Sequence, residues 1–345
     1  MTDLWISVLI PTYNRCDSLR VTLDALGRQT MPAAGFEVLT ISDGSTDGTD
    51  AMLAGYSAPY RLIPLTQSNA GPAAARNQGI DAASGELIVL LDDDVEPAPN
   101  FLEAHAARHR RGDVDDRLAI FGPMLRDPER QEPSWIRWEH AMLEKNYKAW
   151  ETGTWSVADA YDFHSGNASF RREWAVTVGG FDVDLMRMED IDLGLRMQRE
   201  CGVHFEFDPT PVGIHRPLRS YRSWLSVAEA YGKLDIVHAR AGETPWERVR
   251  DKLTNRNAVT LFLTDVVLSM PAAGPALRSM LSAAAHAVDA VGLTGLSMPA
   301  LSVVYNLRYL ECAAAEMGAG ELRRLMKEAD EVTSAYRIER KINRV

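Results

Sequence analysis

The feature that most restricts the fold of this chain is a rhythm in its N-terminal part. Short, unbroken apolar runs, "WISVLIP", "FEVLTISD", "YRLIPLT" and "ELIVLLD", alternate with stretches that carry helical spacing. Leu19, Leu23 and Leu26 recur at that spacing after the first run, and "GPAAARNQGIDAAS" reads as an Ala-rich helix before the fourth. Strands that are apolar throughout must be covered on both faces. Alternation with helices supplies the cover, so an α/β fold with a parallel sheet is predicted. Ligands of such sheets sit at the carboxyl ends of the strands. Those ends hold "PTYNR", "SDGSTDGT" and "LDDDV".

The chain has 345 residues, enough for one large domain or a domain with an appendage. A formal net charge of -11 argues against a nucleic-acid binder, which would carry a basic face. Cys16, Cys201 and Cys312 are far apart and form no C-x-x-C pair. A disulfide framework or zinc site is therefore not expected, and a reducing, cytoplasmic setting is. The start has neither a basic nor a long apolar leader segment. The least charged stretch, 290–307, is interrupted by Gly292, Gly295 and Pro299, so it makes a poor membrane span. Peripheral membrane contact stays open.

The middle, 122–155, is dense in Trp, Pro and charge and reads as an irregular, mobile flap. "EDIDLGLRMQRECG" places Leu193 and Met197 on one helix face, with Gly202 closing it. "VHFEFDP" reads as a strand. From Ser223 onward the pattern is helical, with breaks expected near Pro245, Pro271–Pro275 and Pro299, and a charged, solvated last helix. Two domains follow: 1–222 and a helical region over 223–345. Leu261, Phe262, Leu263, Val266, Val267 and Leu268 need something to pack against, either the first domain or a second subunit. The helical region is expected to serve acceptor binding or homodimerisation.

Several polar residues stand out against this background. Asp92, Asp93 and Asp94 end an apolar strand. In extended chain, alternate side chains share a side, so Asp92 and Asp94 can face one ligand while Asp93 faces elsewhere. Adjacent carboxylates repel unless a cation offsets them, and oxygen ligands suit Mg²⁺ or Mn²⁺. The plainer alternative is a solvated acidic turn. Asp43 ends the second strand, where a carboxylate could accept an N–H from a nucleobase edge. Asp47 in the same motif reads as a helix cap. Arg76 in an Ala-rich helix needs a partner, either a nucleotide or Asp43. Glu189, Asp190 and Asp192 occupy a first helical turn, where acids meet the helix dipole favourably. Capping would explain them. The same dipole would also keep Asp190 ionised, as a general base for a hydroxyl requires. His215 in "GIHRP" is either structural or, with Asp94, part of a mixed O/N metal site.

Taken in order, "PTYNR", "SDGSTDGT", "NAGPAAARNQG", "LDDDV", "SGNASFRRE" and "GGFDVDLMRMEDIDLGLRM" resemble the family 2 glycosyltransferases of the GT-A fold, over roughly 6–215. The resemblance implies a Rossmann-like, mostly parallel sheet flanked by helices, followed here by a C-terminal helical extension that matches no motif of the family. It also implies roles. Pro11, Thr12 and Tyr13 would wall the nucleotide pocket, with Asp43 reading the base and Arg76 lining the same pocket. "LDDDV" looks like the D-x-D motif: Asp92 faces the ribose, Asp93 lies beside it on the nucleotide side, and Asp94 binds the metal, with His215 as its partner. Asp190 matches the catalytic base. Glu189, Gly166 and Asn167 would line the acceptor and donor-sugar side.

The expectation is a Mn²⁺- or Mg²⁺-dependent inverting transferase that moves a sugar from a nucleotide-sugar, UDP-linked in preference to dTDP or GDP, to an acceptor hydroxyl. A retaining transferase and a non-catalytic nucleotide-sugar-binding module are the alternatives. Donor sugar and acceptor are not legible.

Overall fold

A computed structural model describes residues 6–110, 117–154 and 158–329. The charged C-terminal stretch expected to form a solvated helix lies outside the described residues from position 330 on, as do the first five residues and Trp155. The chain divides into two compact units, Met1–Gln131 with Glu139–Leu218, and Glu132–Trp138 with Arg219–Val345.

The first unit alternates strands and helices in the predicted order. β1 (Ile6–Thr12), α1 (Cys16–Leu26), β2 (Phe36–Asp43), α2 (Thr49–Gly55), β3 (Arg61–Gln67), α3 (Pro72–Ala82) and β4 (Leu87–Leu91) come first. β5 (Val95–Pro97), α4 (Phe101–His109), β6 (Leu118–Phe121), β7 (Met124–Arg126) and α5 (Ser134–Glu151) follow. α5 begins in residues of the second unit and continues in the first. β8 (Asn167–Arg171), α6 (Arg172–Thr177), α7 (Glu189–Cys201), β9 (His204–Phe207) and β10 (Gly213–His215) complete it.

The main sheet has seven strands in the order β3-β2-β1-β4-β8-β6-β9, and β5-β10-β7 form a small second sheet. β1, β2, β3 and β4 pair in parallel, as do β6 and β9. β8 alone runs against its neighbours β4 and β6. Side chains of the central strands alternate between two cores. Leu9, Leu39, Ile41, Ile88 and Leu90 enter one, and Val8, Ile10, Val38, Val89 and Leu91 enter the other. This is why these strands carry apolar residues toward both faces. β3 is the exception: it is half exposed, holds Pro64 and lies at the sheet edge, where a missing N–H is tolerated.

The stretch expected to be an irregular flap holds β7 and the whole of α5. Pro133, which reads as a loop residue, directly precedes the first residue of α5, where proline starts helices rather than breaking them.

The second unit is helical: α8 (Tyr221–Arg240), α9 (Trp246–Thr254), α10 (Ala258–Ser269), α11 (Ala273–Ala290) and α12 (Thr294–Met317). Ser220 and Asn257 cap α8 and α10 by accepting the N–H of Ser223 and Thr260. Pro245 and Pro271 lie between helices as predicted, but Pro275 falls in the first turn of α11, where proline is tolerated, and α12 runs straight through Pro299. Its core joins Ala228, Ile236, Val249, Leu253, Leu310 and Ala313. Trp135 meets Tyr221 edge-on, and Trp138 meets Trp224 edge-on and Tyr305 at a tilt. Among the described residues no helix is long and apolar enough to cross a membrane.

Candidate active site

The loops at the carboxyl ends of β1 and β2 are stitched together. Asn14 adopts a left-handed backbone, and its Oδ1 accepts the N–H of Thr46 at 2.7 Å. Asp47 accepts the N–H of Cys16 on one oxygen and both donors of Thr49 on the other, which holds its carboxyl below the usual range. Asp43 ends β2 and is nearly buried. Its Oδ1 accepts from Gln67 Nε2 at 2.7 Å and Ala70 N at 2.8 Å, and its Oδ2 from Gly71 N at 2.9 Å. Asp43 therefore anchors the loop that enters α3. Gly71 has φ +91, a conformation that favours glycine, and the helix starts at the next residue.

After β4 the burial alternates, but through a turn closed by Val95 N donating to Asp92 O at 3.2 Å rather than along the extended chain that was expected. Asp93 and Val95 are buried, while Asp92, Asp94 and Glu96 are half-buried. Asp93 accepts from Thr12 Oγ1 at 2.7 Å, and burial together with Asp94 raises its carboxyl well above the ordinary range. Its side chain props the end of β1 from within. Tyr13, one residue further on, is exposed.

Arg76 does not reach Asp43. Its guanidinium, nearly buried on α3, donates to Asp92 Oδ1 at 3.1 Å and to Glu189 Oε1 at 3.0 Å. It also lies 5.5 Å from the centre of the Phe181 ring. Burial alone would lower its pKa; Asp92, Glu189 and Asp190 reverse this and fix its charge. One cation thus ties the strand end that carries "LDDDV" to the helix that carries "EDIDL".

α7 starts after Met188, a non-glycine residue in the left-handed region at φ 61. Strain of this kind persists where the surroundings hold it. Asp190 Oδ1 accepts from Ile191 N at 2.9 Å and Oδ2 from Ser165 N at 3.2 Å. The helix start was expected to keep Asp190 ionised. Burial and the neighbouring Glu189 instead push its carboxyl up to about 7, against the pull of Arg76. Asp192 turns away and pairs with Arg196.

Ser165 leads into Gly166, whose carbonyl accepts the N–H of Asp92 at 3.2 Å. A Cβ on Gly166 would lie 2.6 Å from Met124 Sδ and 2.8 Å from Asp92 Oδ2. A larger residue there would have to displace the ends of the Met124 and Asp92 side chains. Asn167 is fully buried. Its amide donates to the carbonyls of Pro123 and Pro211, and its Oδ1 meets His105. That side chain fastens the frame.

Asp94 and His215 come together. His215 Nε2 lies 3.6 Å from Asp94 Oδ1, and Arg15 Nη1 holds the other oxygen, Oδ2, at 2.6 Å. Two ligands about 2.1–2.2 Å from one cation stand roughly 3–3.5 Å apart, so the pair fits a shared metal. Among the described residues no group of three or more His, Cys, Asp or Glu could hold a metal by itself. Two protein ligands suit Mg²⁺- or Mn²⁺-type sites that take their remaining oxygens from substrate and water. A hollow of about 240 Å³ opens beside Asp94, lined by Val21, Thr22, Glu96 and Arg216 among others, but not by Asp92, Arg76 or Asp190.

Sequence reasoning missed Arg15 and two histidines. Arg15 sits in the quoted "PTYNR", but its partner was not legible. His140 on α5 has its Nε2 3.3 Å from His215 Nδ1. His164 is a buried, neutral imidazole whose pKa burial lowers to about 4; both its nitrogens lack a hydrogen-bond partner. Neither histidine belongs to a motif.

With this geometry in place, comparison with known proteins is informative. Residues 7–178 match the model described as Glycosyl transferase family 2. This part of the chain belongs to that family. Among curated relatives, the validoxylamine A glucosyltransferase of Streptomyces hygroscopicus subsp. jinggangensis is 30% identical over 241 residues, covering 61% of this chain and 55% of that protein. Glycosyltransferase AglE of Haloferax volcanii is 36% identical over 101 residues, 29% of this chain and 33% of that protein. The chain thus spans about half or less of the length of these curated relatives. The mannosyltransferase PcManGT from Pyrobaculum calidifontis, solved with GDP-Man and Mn²⁺, superposes with a TM-score of 0.61 at 23% identity, covering 92% of this chain and 87% of that one. S. aureus TarS 1-349, solved with UDP-GlcNAc, gives 0.54 at 18% identity over 95% and 92%. At these identities the likeness concerns the fold, and the family 2 domain has the GT-A fold.

Proposed function

We propose that the protein is an inverting, metal-dependent glycosyltransferase that moves a sugar from a nucleotide-sugar, UDP-linked by preference, to an acceptor hydroxyl. The observation that carries this reading is the Arg76 bridge, which ties Asp92 to Glu189, the neighbour of Asp190; in this reading Asp92 serves the nucleotide and the α7 acids serve the acceptor. The relatives' names and the nucleotide-sugars bound by the structural neighbours support the reaction class.

In this reading Pro11, Thr12, Tyr13 and Asp43 form the nucleotide wall, with Asp93 as its inner prop, and Asp92 faces the ribose. Asp94 and His215 would hold Mn²⁺ or Mg²⁺, which would offset charge on the leaving diphosphate. Asp190 accepts the proton of the acceptor hydroxyl while its oxygen bonds to the anomeric carbon. The bond from that carbon to the diphosphate oxygen breaks in the same displacement, and the nucleoside diphosphate leaves with the electron pair. Gly166 and Glu189 shape the sugar side. Asn167, buried in the frame, fixes the backbone there.

The test is Asp190→Asn, which keeps shape but cannot take a proton. Transfer should fall by at least about 10²-fold, the lower end for general-base catalysis, with UDP affinity near that of the parent and a modest loss of melting temperature, because asparagine can accept only one of the two backbone N–H groups that Asp190 holds. Because Asp190 must be ionised, parent activity should rise with pH through about 7 and then level off. Near-parent transfer by the variant would make Asp190 a helix cap and remove the proposed mechanism.

A further inference from the structure

His140 lies outside every motif of the family 2 domain, yet it is 1% exposed and sits against the ring of a proposed metal ligand. Its ring meets that of His215 edge-on, with centroids 5.3 Å apart. His215 is itself nearly buried and has its two nitrogens committed in opposite directions: Nδ1 faces His140 Nε2 at 3.3 Å, and Nε2 faces Asp94 Oδ1 at 3.6 Å. The first distance permits a hydrogen bond and the second is too long for a good one. A neutral imidazole carries one N–H and one lone pair. If Nδ1 donates to His140, the lone pair on Nε2 faces the side of Asp94, where a cation can use it.

We propose that His140 is a positioning residue: by accepting the Nδ1–H of His215 it fixes that ring's tautomer and orientation, so that Nε2 is presented to the divalent cation shared with Asp94. Groups that accept the second N–H of a metal-bound histidine set its tautomer and are worth about 10–100-fold in metal affinity. The partner here is mounted on α5 rather than on a loop, and the backbone on the other side is held too, since Arg216 N donates to Asp94 O at 2.8 Å. Elements of this kind hold ligands more closely than loops do.

The inference rests on the proposed metal site, and one titration separates the two. Mn²⁺ affinity in the presence of UDP is read from the loss of the free-Mn²⁺ electron-spin-resonance signal. The proteins compared are the parent, His215→Ala, His140→Phe, His140→Gln and the double variant His140→Phe/His215→Ala. His215→Ala should bind Mn²⁺ at least about tenfold more weakly, and so should His140→Phe. His140→Gln offers a carbonyl acceptor and should recover most of the loss. In the His215→Ala background, His140→Phe should add less than about twofold, because the residue acts through His215. An unchanged affinity in His140→Phe beside a weakened His215→Ala overturns the role of His140 and leaves the metal site standing. Full additivity in the double variant overturns it as well. Parent-like binding by His215→Ala overturns the metal site, and the role of His140 with it.

Discussion

Arg15 holds Asp94 by a charge that a bound cation would have to share. Its guanidinium is partly exposed, at 29% of its side-chain surface, and lies 2.6 Å from Asp94 Oδ2 and 4.0 Å from Asp93. Removing that positive charge leaves Asp94 more available to a metal. Arg15→Gln should therefore tighten Mn²⁺ binding to the nucleotide-free protein by about fivefold, the size of a partly exposed ion pair. Weaker or unchanged binding in a calorimetric titration would mean that Arg15 helps to build the site rather than competing for it. At this scale the sequence was informative where chemistry and chain geometry coincide. Asp93 was expected to face away from Asp92 and Asp94 and is the buried one of the three, although they lie in a turn rather than in the extended chain that the expectation assumed. Asp47, read as a cap, does bond Thr49 at the start of α2, from one position before the N-cap Gly48. The sequence was uninformative where a side chain's partner comes from elsewhere in the chain. Arg76 was offered Asp43 as its partner within the protein and bonds Asp92 and Glu189 instead, and Glu189 is 113 positions away. Asp190 was expected to be ionised by its helix; local sequence contains the dipole but not the burial that opposes it.

At the scale of elements, the site depends on how closely β8 approaches the end of β4. Gly166, just before β8, has no room for a methyl group, and the atoms in the way include Asp92 Oδ2. Gly166→Ala should lower stability by about 1–3 kcal/mol, as overpacking does. Because one of the displaced groups is the proposed ribose contact, UDP affinity should fall too. A lower melting temperature with unchanged UDP binding would place Asp92 outside the nucleotide site. Elements with an unmixed pattern were legible: β1, β2, β4, α3 and α7 fall where apolar runs and helical spacing put them. α5 was not, because Trp, Pro and charge crowd its sequence and its aromatic residues serve two units. Pro299 was read as a break, yet α12 passes through it, where packing of the helix prevails over a residue poor in helix propensity.

At the scale of the molecule, the sequence separated a sheet-bearing part from a helical part, but it could not place 132–138 with the latter, since only tertiary contacts assign a segment to a distant partner. Nor could it give the direction of β8, because a buried strand reads alike in either sense. The pairing of the strands has a consequence for the order of assembly. β1 joins β2 across 30 positions (Ile6 with Phe36) and β2 joins β3 across 24 (Glu37 with Arg61), whereas β1–β4 and β4–β8 each close a loop of about 80, Ile6 with Leu87 and Leu91 with Asn167. Pairings that close long loops form late. The strand that leads into "LDDDV" and the strand that follows Gly166 should thus both join after β1, β2 and β3 have paired, and the reaction centre forms late. Pulse-labelled hydrogen exchange during refolding should protect the amides of β2 and β3 before those of β4 and β8, and simultaneous protection would contradict this order. A chain stalled at that point has three paired strands with an open edge at β1, the kind of surface on which unfinished molecules aggregate.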